Sequence, residues 1–225
     1  MTLKSYTTLL LLFCFAMATV PAMADILYDN GPVNGQVNAW TISPGFSVGD
    51  TFTVSSTKCP SGCAIQGFGV YIWEFPGDSA FQLSWSITSD FGGGIVSGIG
   101  TVYAPGYLKD TYKFTNNYGM EIHLWEATLG TDQEGVFLLP ATYWLNLYNA
   151  VGTLDTWLFW DENSGVGCGG ERCPSLAKDS DGTVISDIPS EAFSVTGTPT
   201  AEPGTILLFG SGVLGFGAVL RRKLF

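Results

Sequence analysis

Apolar and polar residues alternate along the middle of the chain. The alternation is clearest over residues 81–88, and it recurs over 121–125 and 143–148. Successive side chains then point to opposite faces, which is typical of a β-strand that is buried on one face only. Shorter runs at 52–54 and 193–195 repeat the pattern. The middle of the chain is therefore predicted to be rich in half-buried strands.

One segment, residues 64–73, is apolar on both faces and predicts a central strand. Gly67 and Gly69 within it permit the close approach of a neighbouring backbone. Further strands are predicted near residues 36–42, 95–103, 156–161 and 183–187. Gly, Pro, Asn and Asp turns separate these segments, and none between the two ends shows a sustained helical period. We therefore expect roughly nine or ten strands in an all-β domain over residues 25–196, an antiparallel β-sandwich of jelly-roll type.

The N-terminus has the three parts of a secretory signal peptide. Lys4 supplies the positive charge, residues 9–20 are apolar, and Ala24 completes a small-x-small cleavage site. The apolar run is too short to span a bilayer comfortably. We predict that residues 1–24 are a signal peptide and that the mature chain begins at Asp25.

The C-terminus contains a second apolar segment. A polar linker over residues 197–203 contains Glu202 and Pro203, and a membrane-spanning helix with a basic tail is predicted over 204–225. Its apolar run has about 15 residues, which as a helix are about 22 Å long against a hydrocarbon core of about 30 Å. The segment is therefore a short span for a bilayer.

Arg221 and Arg222 begin a basic cluster after this span. Basic residues favour the cytoplasmic side, so the β domain is expected outside. The Glu-Pro pair, the short Gly- and Leu-rich span and the Arg cluster together resemble the PEP-CTERM sorting signal of Gram-negative bacteria that make exopolysaccharide. The resemblance implies cleavage near the motif by an exosortase-like membrane protease. Ala201 stands where that motif has its first proline, and a plain membrane anchor is the alternative.

The domain itself resembles a loosely defined group of PEP-CTERM proteins. The resemblance rests on residues 160–165, WDENSG, and on residues 190–195, SEAFSV. It implies no biochemical activity, so the chemistry of individual residues remains the guide to function.

The cysteines predict disulfides. Of the five, Cys14 lies in the predicted signal peptide, and four remain in the exported part. Local pairing, Cys59 with Cys63 and Cys168 with Cys173, is favoured because both loops turn back on Pro or Gly. Long-range pairing stays open, since it would contribute nearer 5 kcal/mol than the roughly 2 kcal/mol of a short loop. A zinc site is a further alternative, which the spacing and the export disfavour.

The charge of the chain excludes one class of partner. The net charge is −11, and all 20 acidic residues lie within 25–202 beside five basic ones, which gives this part a charge of −15. An acidic surface repels phosphates, so nucleic acid is not expected as a partner. The same charge disfavours direct attraction to an anionic polysaccharide unless cations bridge the two.

Candidates for catalysis are few. A Ser-His-Asp triad would have to use His123, the single histidine, but a partly exposed strand histidine is the simpler interpretation. Asp155, Asp161 and Glu162 lie beside Trp157 and Trp160 and could supply the acid pair of a glycosidase. Solvated acids at a strand end beside core tryptophans explain them equally well. Oxygen ligands for calcium are present at Asp161, Glu162, Asn163, Asp179, Asp181 and Asp187. An ordinary Asp-Gly turn accounts for residues 179–182 better, so we assign no metal or cofactor.

Two tryptophans are candidate glycan-binding residues. Trp125 and Trp144 fall on the opposite strand face from the neighbouring leucines. If that face is solvated, the rings form a platform on which a sugar can stack; if a second layer covers it, they belong to the core.

These observations favour an exported, non-enzymatic protein. We expect it to pass through the inner membrane and reach the cell surface or extracellular matrix, with a structural or adhesive role associated with exopolysaccharide. A glycan-binding module, with calcium assisting, is the alternative, and a glycosidase is the least favoured.

Overall fold

The computed structural model describes residues 24–36, 38–129, 136–163 and 175–200. These residues form fourteen β-strands and no helix, and none of them lies in a helix that could cross a membrane. In chain order the strands are β1 (Asp25–Asp29), β2 (Ala39–Thr41), β3 (Ser47–Thr53), β4 (Cys63–Glu74), β5 (Ala80–Asp90), β6 (Gly93–Tyr103), β7 (Leu108–Thr115), β8 (Glu121–Thr128), β9 (Val136–Leu138), β10 (Thr142–Gly152), β11 (Phe159–Asp161), β12 (Ser175–Lys178), β13 (Val184–Ile188) and β14 (Phe193–Pro199). The predicted signal peptide before Ala24 and the predicted helix over 204–225 lie outside the described residues.

The strands form two antiparallel sheets that pack as a sandwich. In sheet A, β4 pairs with β14 and β11 along one edge and with β9 and β8 along the other. β1, β2 and β7 extend this sheet through β14, β11 and β8. Sheet B has the order β13-β12-β3-β10-β5-β6. The predicted antiparallel β-sandwich is therefore confirmed, and so is a central strand over residues 64–73.

Four strands were not predicted, namely β1, β7, β9 and β12. Three of them have only three to five residues, which is too short for an alternating pattern to stand out. β7 is longer but mostly polar, because it pairs only with β8 in the described part of the sheet and leaves much of its length exposed. Short length therefore concealed three of these strands, and polar, exposed residues concealed β7.

The core lies between the facing sides of the two sheets. Trp85 on β5 packs edge-on against Phe68 on β4, with ring centroids 5.9 Å apart, and both rings are buried. Trp160 and Phe193 make a similar contact within sheet A at 5.5 Å. Each such buried side chain contributes roughly 1.5–3 kcal/mol, so aromatic contacts like these hold the sheets together.

The two ends of the described domain lie side by side. Asp25, where the predicted mature chain begins, is paired with Gly197 on β14. β14 continues to Pro199, so the first three residues of the predicted linker are part of the last strand. The backbone N–H and the hydroxyl of Thr200 both donate to the carbonyl of Gly62, at 3.0 and 2.9 Å. The chain therefore leaves the sandwich beside its N-terminus.

A disulfide closes the loop that contains Gly62, whose carbonyl accepts the hydrogen bonds from Thr200. Cys59 and Cys63 are bonded, with Cα atoms 5.5 Å apart, as local pairing predicted. The loop turns through Gly62 at φ +100°, where a Cβ would overlap the Phe137 ring. Cys168 and Cys173 lie outside the described residues.

We expect the substitution Gly67→Ala to lower the free energy of unfolding by about 1–3 kcal/mol. A methyl group at this position would overlap the carbonyl oxygen of Ala127, on the neighbouring strand. Gly93→Ala is the matched control, because a methyl group there meets nothing within 4 Å. Urea denaturation followed by tryptophan fluorescence measures both variants. Equal losses would contradict the close contact of β4 with β8.

Candidate functional site

A cluster of ionisable side chains lies at one end of the sandwich, where β4, β7 and β8 are adjacent. We call Glu74, Asp110, Glu121 and His123 the histidine cluster. The strand register explains why they meet: Glu74 is paired with Glu121, and Asp110 with Trp125, the residue two positions after His123. Since paired residues and residues two apart share one face of a sheet, all four side chains occupy the same face.

The imidazole of His123 is surrounded by carboxylates. Its Nδ1 lies 2.6 Å from Asp110 Oδ1 and 3.6 Å from Glu74 Oε1. Its Nε2 lies 3.5 Å from Glu121 Oε2. Since both ring nitrogens face carboxylates, neither is directed at a serine, and His123 lacks the arrangement of a Ser-His-Asp triad.

Neighbouring N–H groups hold two of these carboxylates in place. Trp125 Nε1 donates to Glu74 Oε1 at 2.5 Å, and the backbone N–H of Ala80 donates to Asp110 Oδ2 at 2.8 Å. Ala80 begins β5, so the second contact joins sheet B to sheet A. Glu74 Oε2 is buried and has no hydrogen-bond partner. One carboxylate oxygen of the cluster is therefore left without the partner that burial normally requires.

Burial sets the protonation of the cluster. It raises the pKa of Glu74 to about 8, and the nearby charge of Asp110 acts in the same direction. Burial also acts to lower the pKa of His123, but the hydrogen bond to Asp110 and the charge of Glu74 outweigh it, and the pKa is raised. The expectation that His123 is partly exposed is wrong, because only 6% of the residue is accessible.

A second group of carboxyls is buried within the domain. This acid cluster consists of Asp50, Asp161, Glu162 and Glu191, each at most 1% exposed. It forms where residues 160–163 and 190–195 meet. The N–H of Ala192 donates to the carbonyl of Asp161, and Glu162 forms a β-bridge with Glu191. The two motifs that characterise the domain in the sequence are therefore in direct contact.

Asp50 and Glu191 differ in how they are satisfied. Asp50 accepts hydrogen bonds from the Asn30 amide, the Ser190 hydroxyl, and the backbone N–H groups of Thr51 and Glu191. Burial nevertheless raises its pKa to about 7. Burial and then the charge of Asp50 raise the pKa of Glu191 well above its usual value, and its Oε2 has no partner. Both carboxyls are therefore weaker acids than exposed ones.

Asp161 and Glu162 do not form an open acid pair. Trp73 Nε1 donates to Asp161 Oδ1 at 2.5 Å, and Trp40 Nε1 donates to Glu162 Oε1. Backbone N–H groups of Asn34 and Gly35 occupy Asp161 Oδ2. These contacts engage both carboxylate oxygens of Asp161 and one of Glu162, so the pair is tied into the fold rather than open to a glycoside.

Of the remaining acidic candidates, Asp179 and Asp181 form a turn, whereas Asp187 lies on β13. Asp179 Oδ1 accepts the backbone N–H groups of Asp181 and Thr183, and Gly182 has φ +87°. This is the Asp-Gly turn expected for residues 179–182.

The structure separates the two candidate glycan-binding tryptophans. Trp125 is 0% exposed and faces the second sheet, so the condition that its face be solvated is not met. Trp144 is half-buried, and its ring packs against Phe91 with centroids 5.5 Å apart. Trp157 is 51% exposed and contacts Phe46 edge-on. Surface aromatics are therefore available, but Trp125 is a core residue because sheet B covers its face.

The sequence did not single out Glu74 and Asp110. The one available signal for Glu74 as a site residue was its position, because a charged residue there ends an apolar run after Trp73. Asp110 gave none, because β7 was not predicted. Because β7 was not predicted, Asp110 could not be identified from the sequence as the partner of His123.

Among the predicted sorting residues, only Ala24 lies in the described part, where it is exposed and directly precedes β1. Glu202, Pro203, Arg221 and Arg222 lie outside it. The chain therefore combines an all-β sandwich with a C-terminal segment that begins where the last strand ends.

This C-terminal segment places the chain among proteins with a sorting signal. Residues 199–223 match the family described as the PEP-CTERM protein-sorting motif. The motif implies an exported protein that exosortase processes and that is sorted to the cell surface. No curated protein matches the chain.

We expect the protein to become less stable as the pH rises from 5 to 8. Asp50 has a folded pKa of about 7 against an ordinary value of 3.8, so the folded state binds more protons than the unfolded state in this range. The raised pKa of Glu191 acts in the same direction. A pKa that differs by one between the folded and unfolded states changes the free energy of unfolding by about 1.4 kcal/mol, so urea denaturation should show a loss of at least about that size.

Glu191→Gln should reduce this pH dependence, because the buried group can no longer ionise. Asp25→Asn, which removes an exposed carboxyl, is the control and should leave the dependence unchanged. Stability that is constant or increases between pH 5 and 8 would contradict the buried acid cluster.

Proposed function

We propose that the protein is a non-enzymatic structural or adhesive component of the cell surface or extracellular matrix, associated with exopolysaccharide. The observation that carries this proposal is the position of the sorting motif. The motif begins at residue 199, which is also the last residue of β14. The last strand of the sandwich therefore leads directly into the segment that exosortase processes.

The way β14 is held suits a domain that is attached by its C-terminus. β14 pairs with β4 from Phe193 to Pro199 along one edge and with β1 along the other. Any pull on the attachment segment therefore acts on a strand that is hydrogen-bonded on both sides. Thr200 adds its two hydrogen bonds to the disulfide-closed loop. These contacts support a mechanical rather than a catalytic role.

The edge strand β6 supports the adhesive part of the proposal. It is the edge of sheet B in the described part of the chain and has no charged residue over 93–103. Ile95 is 77% exposed and Ile99 is 63% exposed. A long apolar edge without charges lacks the usual protection against pairing with other chains.

The ionisable clusters support the absence of catalysis. Asp161 is fully buried and held by Trp73, so a sugar ring cannot approach it without displacing that contact. His123 has carboxylates at both nitrogens. A glycosidase or a triad hydrolase therefore remains the least favoured function.

The proposed route has three stages. The signal peptide is cleaved after Ala24, the chain is held in the inner membrane by its C-terminal helix, and exosortase then cleaves near Glu202 and Pro203. Arg221 and Arg222 keep the end of the helix in the cytoplasm until cleavage.

Deletion of the gene from an exopolysaccharide-producing host should reduce the polysaccharide retained by the cells and their adhesion to a surface. Complementation with the full chain should restore both. A variant with Glu202→Ala and Pro203→Ala should restore neither if surface sorting is required. Purified protein should leave the size distribution of the polysaccharide unchanged. Unaltered retention and adhesion in the deletion strain, or cleavage of the polysaccharide, would refute the proposed role.

A glycan-binding module is the second candidate, favoured by the exposed ring of Trp157 and the half-buried ring of Trp144. Trp157→Ala should then weaken binding to host exopolysaccharide on a glycan array by about two- to tenfold, since a stacked ring contributes about 0.5–1.5 kcal/mol. Phe81→Ala removes an exposed ring elsewhere and is the control. Arrays run with calcium and with a chelator test whether calcium assists glycan binding. If the protein binds no glycan under either condition, the glycan-binding function is excluded.

A further inference from the structure

We propose that Glu74, Asp110 and His123 bind one divalent metal ion of the zinc class. Each residue offers a ligand atom, and the three atoms all lie within 4.8 Å of one another. Zinc bonds to nitrogen and oxygen are about 2.0–2.2 Å, so two ligands of a tetrahedral ion lie about 3.4 Å apart. The distances from His123 Nδ1 to Asp110 Oδ1 and Glu74 Oε1, 2.6 and 3.6 Å, lie on either side of that value. Small side-chain rotations would bring the three atoms to one ion.

The donor set matches this class of ion. One imidazole nitrogen and two carboxylates suit zinc and its first-row neighbours, whereas calcium prefers oxygen ligands alone. Three protein ligands leave a fourth position for water. The partial exposure of the Asp110 side chain, 16%, provides a path from solvent.

The surroundings of His123 orient it as a ligand. Nδ1 can bind a metal only if the ring proton is on Nε2, and Glu121 Oε2 faces Nε2 at 3.5 Å. A carboxylate on the far nitrogen is the usual partner of a metal-bound histidine, because it selects the tautomer and fixes the ring. The N–H groups of Trp125 and Ala80 orient the other two ligands in the same way.

The unpartnered oxygen of Glu74 points independently to a ligand. Glu74 is 0% exposed, and Trp125 occupies Oε1 but leaves Oε2 without a hydrogen bond. An unsatisfied buried carboxylate oxygen is costly, and a cation held by the Glu74 carboxylate would offset that cost. The charge around the ring favours the same conclusion, because Glu74, Asp110 and Glu121 all lie within 3.6 Å of its nitrogens.

The ion would fasten an otherwise weakly held part of the sandwich. Its ligands come from β4, β7 and β8, and β7 has only β8 as a neighbour among the described strands. Asp110 is also joined to Ala80 on sheet B. A metal here links the edge strand to the centre of sheet A and, through Asp110, to sheet B.

Metal content and thermal stability test the site. Untagged full-length protein is purified in detergent, any free thiols are alkylated, and the metal is removed with a chelator. Titration with zinc should then give one tightly bound ion per chain by mass spectrometry of the metal, together with a higher melting temperature. Cobalt in its place should give the visible absorption bands of a four-coordinate site.

Variants of the cluster separate binding from folding. Asp110→Asn should lower zinc affinity at least about tenfold, and Glu121→Gln, which leaves all three ligands in place, about 10–100-fold. Asp179→Asn removes an exposed acid in a turn and should leave the affinity unchanged. Less than one zinc per folded chain with no rise in melting temperature, or equal affinity in all variants, would overturn the site. The matrix role would be unaffected by that result, because it rests on the deletion strain.

Discussion

Strand β4 runs through the middle of sheet A and is hydrogen-bonded along both edges for most of its length. β14 and β11 cover one edge, and β9 and β8 cover the other. It begins at Cys63, beside the loop that holds Thr200, and ends at Glu74 in the histidine cluster. Since a strand rises about 3.3 Å per residue, the attachment end and the cluster are about 36 Å apart. The proposed metal site therefore lies at the end of the sheet away from the sorting motif.

The buried acid cluster illustrates a second constraint. Asp50 accepts the N–H of Glu191, which holds β3 against the loop that carries Glu191. Asp161 accepts the N–H groups of Asn34 and Gly35, which holds β11 against the segment before β2. Burying carboxyls costs free energy even when they are hydrogen-bonded. The contacts are better understood as fixing how the segments fit together than as a source of stability. They also explain why acids beside tryptophans in the sequence are structural.

The C-terminal segment, rather than the fold, indicates what the protein does. β-Sandwiches serve many unrelated purposes, so the architecture alone specifies none. The sorting motif directly after β14 implies export and processing. The apolar edge of β6 and the firm attachment of β14 are properties that a surface or matrix protein can use. The histidine cluster adds chemistry that the sorting signal does not anticipate.

Features that depend on local pattern could be predicted from the amino-acid sequence. Alternation identified the sandwich and its central strand, the order of residues at the C-terminus identified the sorting motif, and the short loop predicted the bond between Cys59 and Cys63. These signals are local because each depends on neighbours within a few residues. The sequence could not tell whether the face that carries Trp125 is solvated, since that depends on a second sheet folded from other parts of the chain.

Which ionisable groups meet depends on how distant strands pair in the folded domain. His123 and Asp110 are on adjacent strands and Glu74 is 49 residues before His123, so their contact depends on the registers of β4, β7 and β8. Strand register depends on the sum of many pairings and on which faces are buried, and a mostly polar strand such as β7 shows little of the burial pattern in its sequence. The acid cluster depends in the same way on Asp50 and Glu191 coming together across 141 residues. Long-range pairing therefore created both clusters, and local pattern predicted the framework in which they lie.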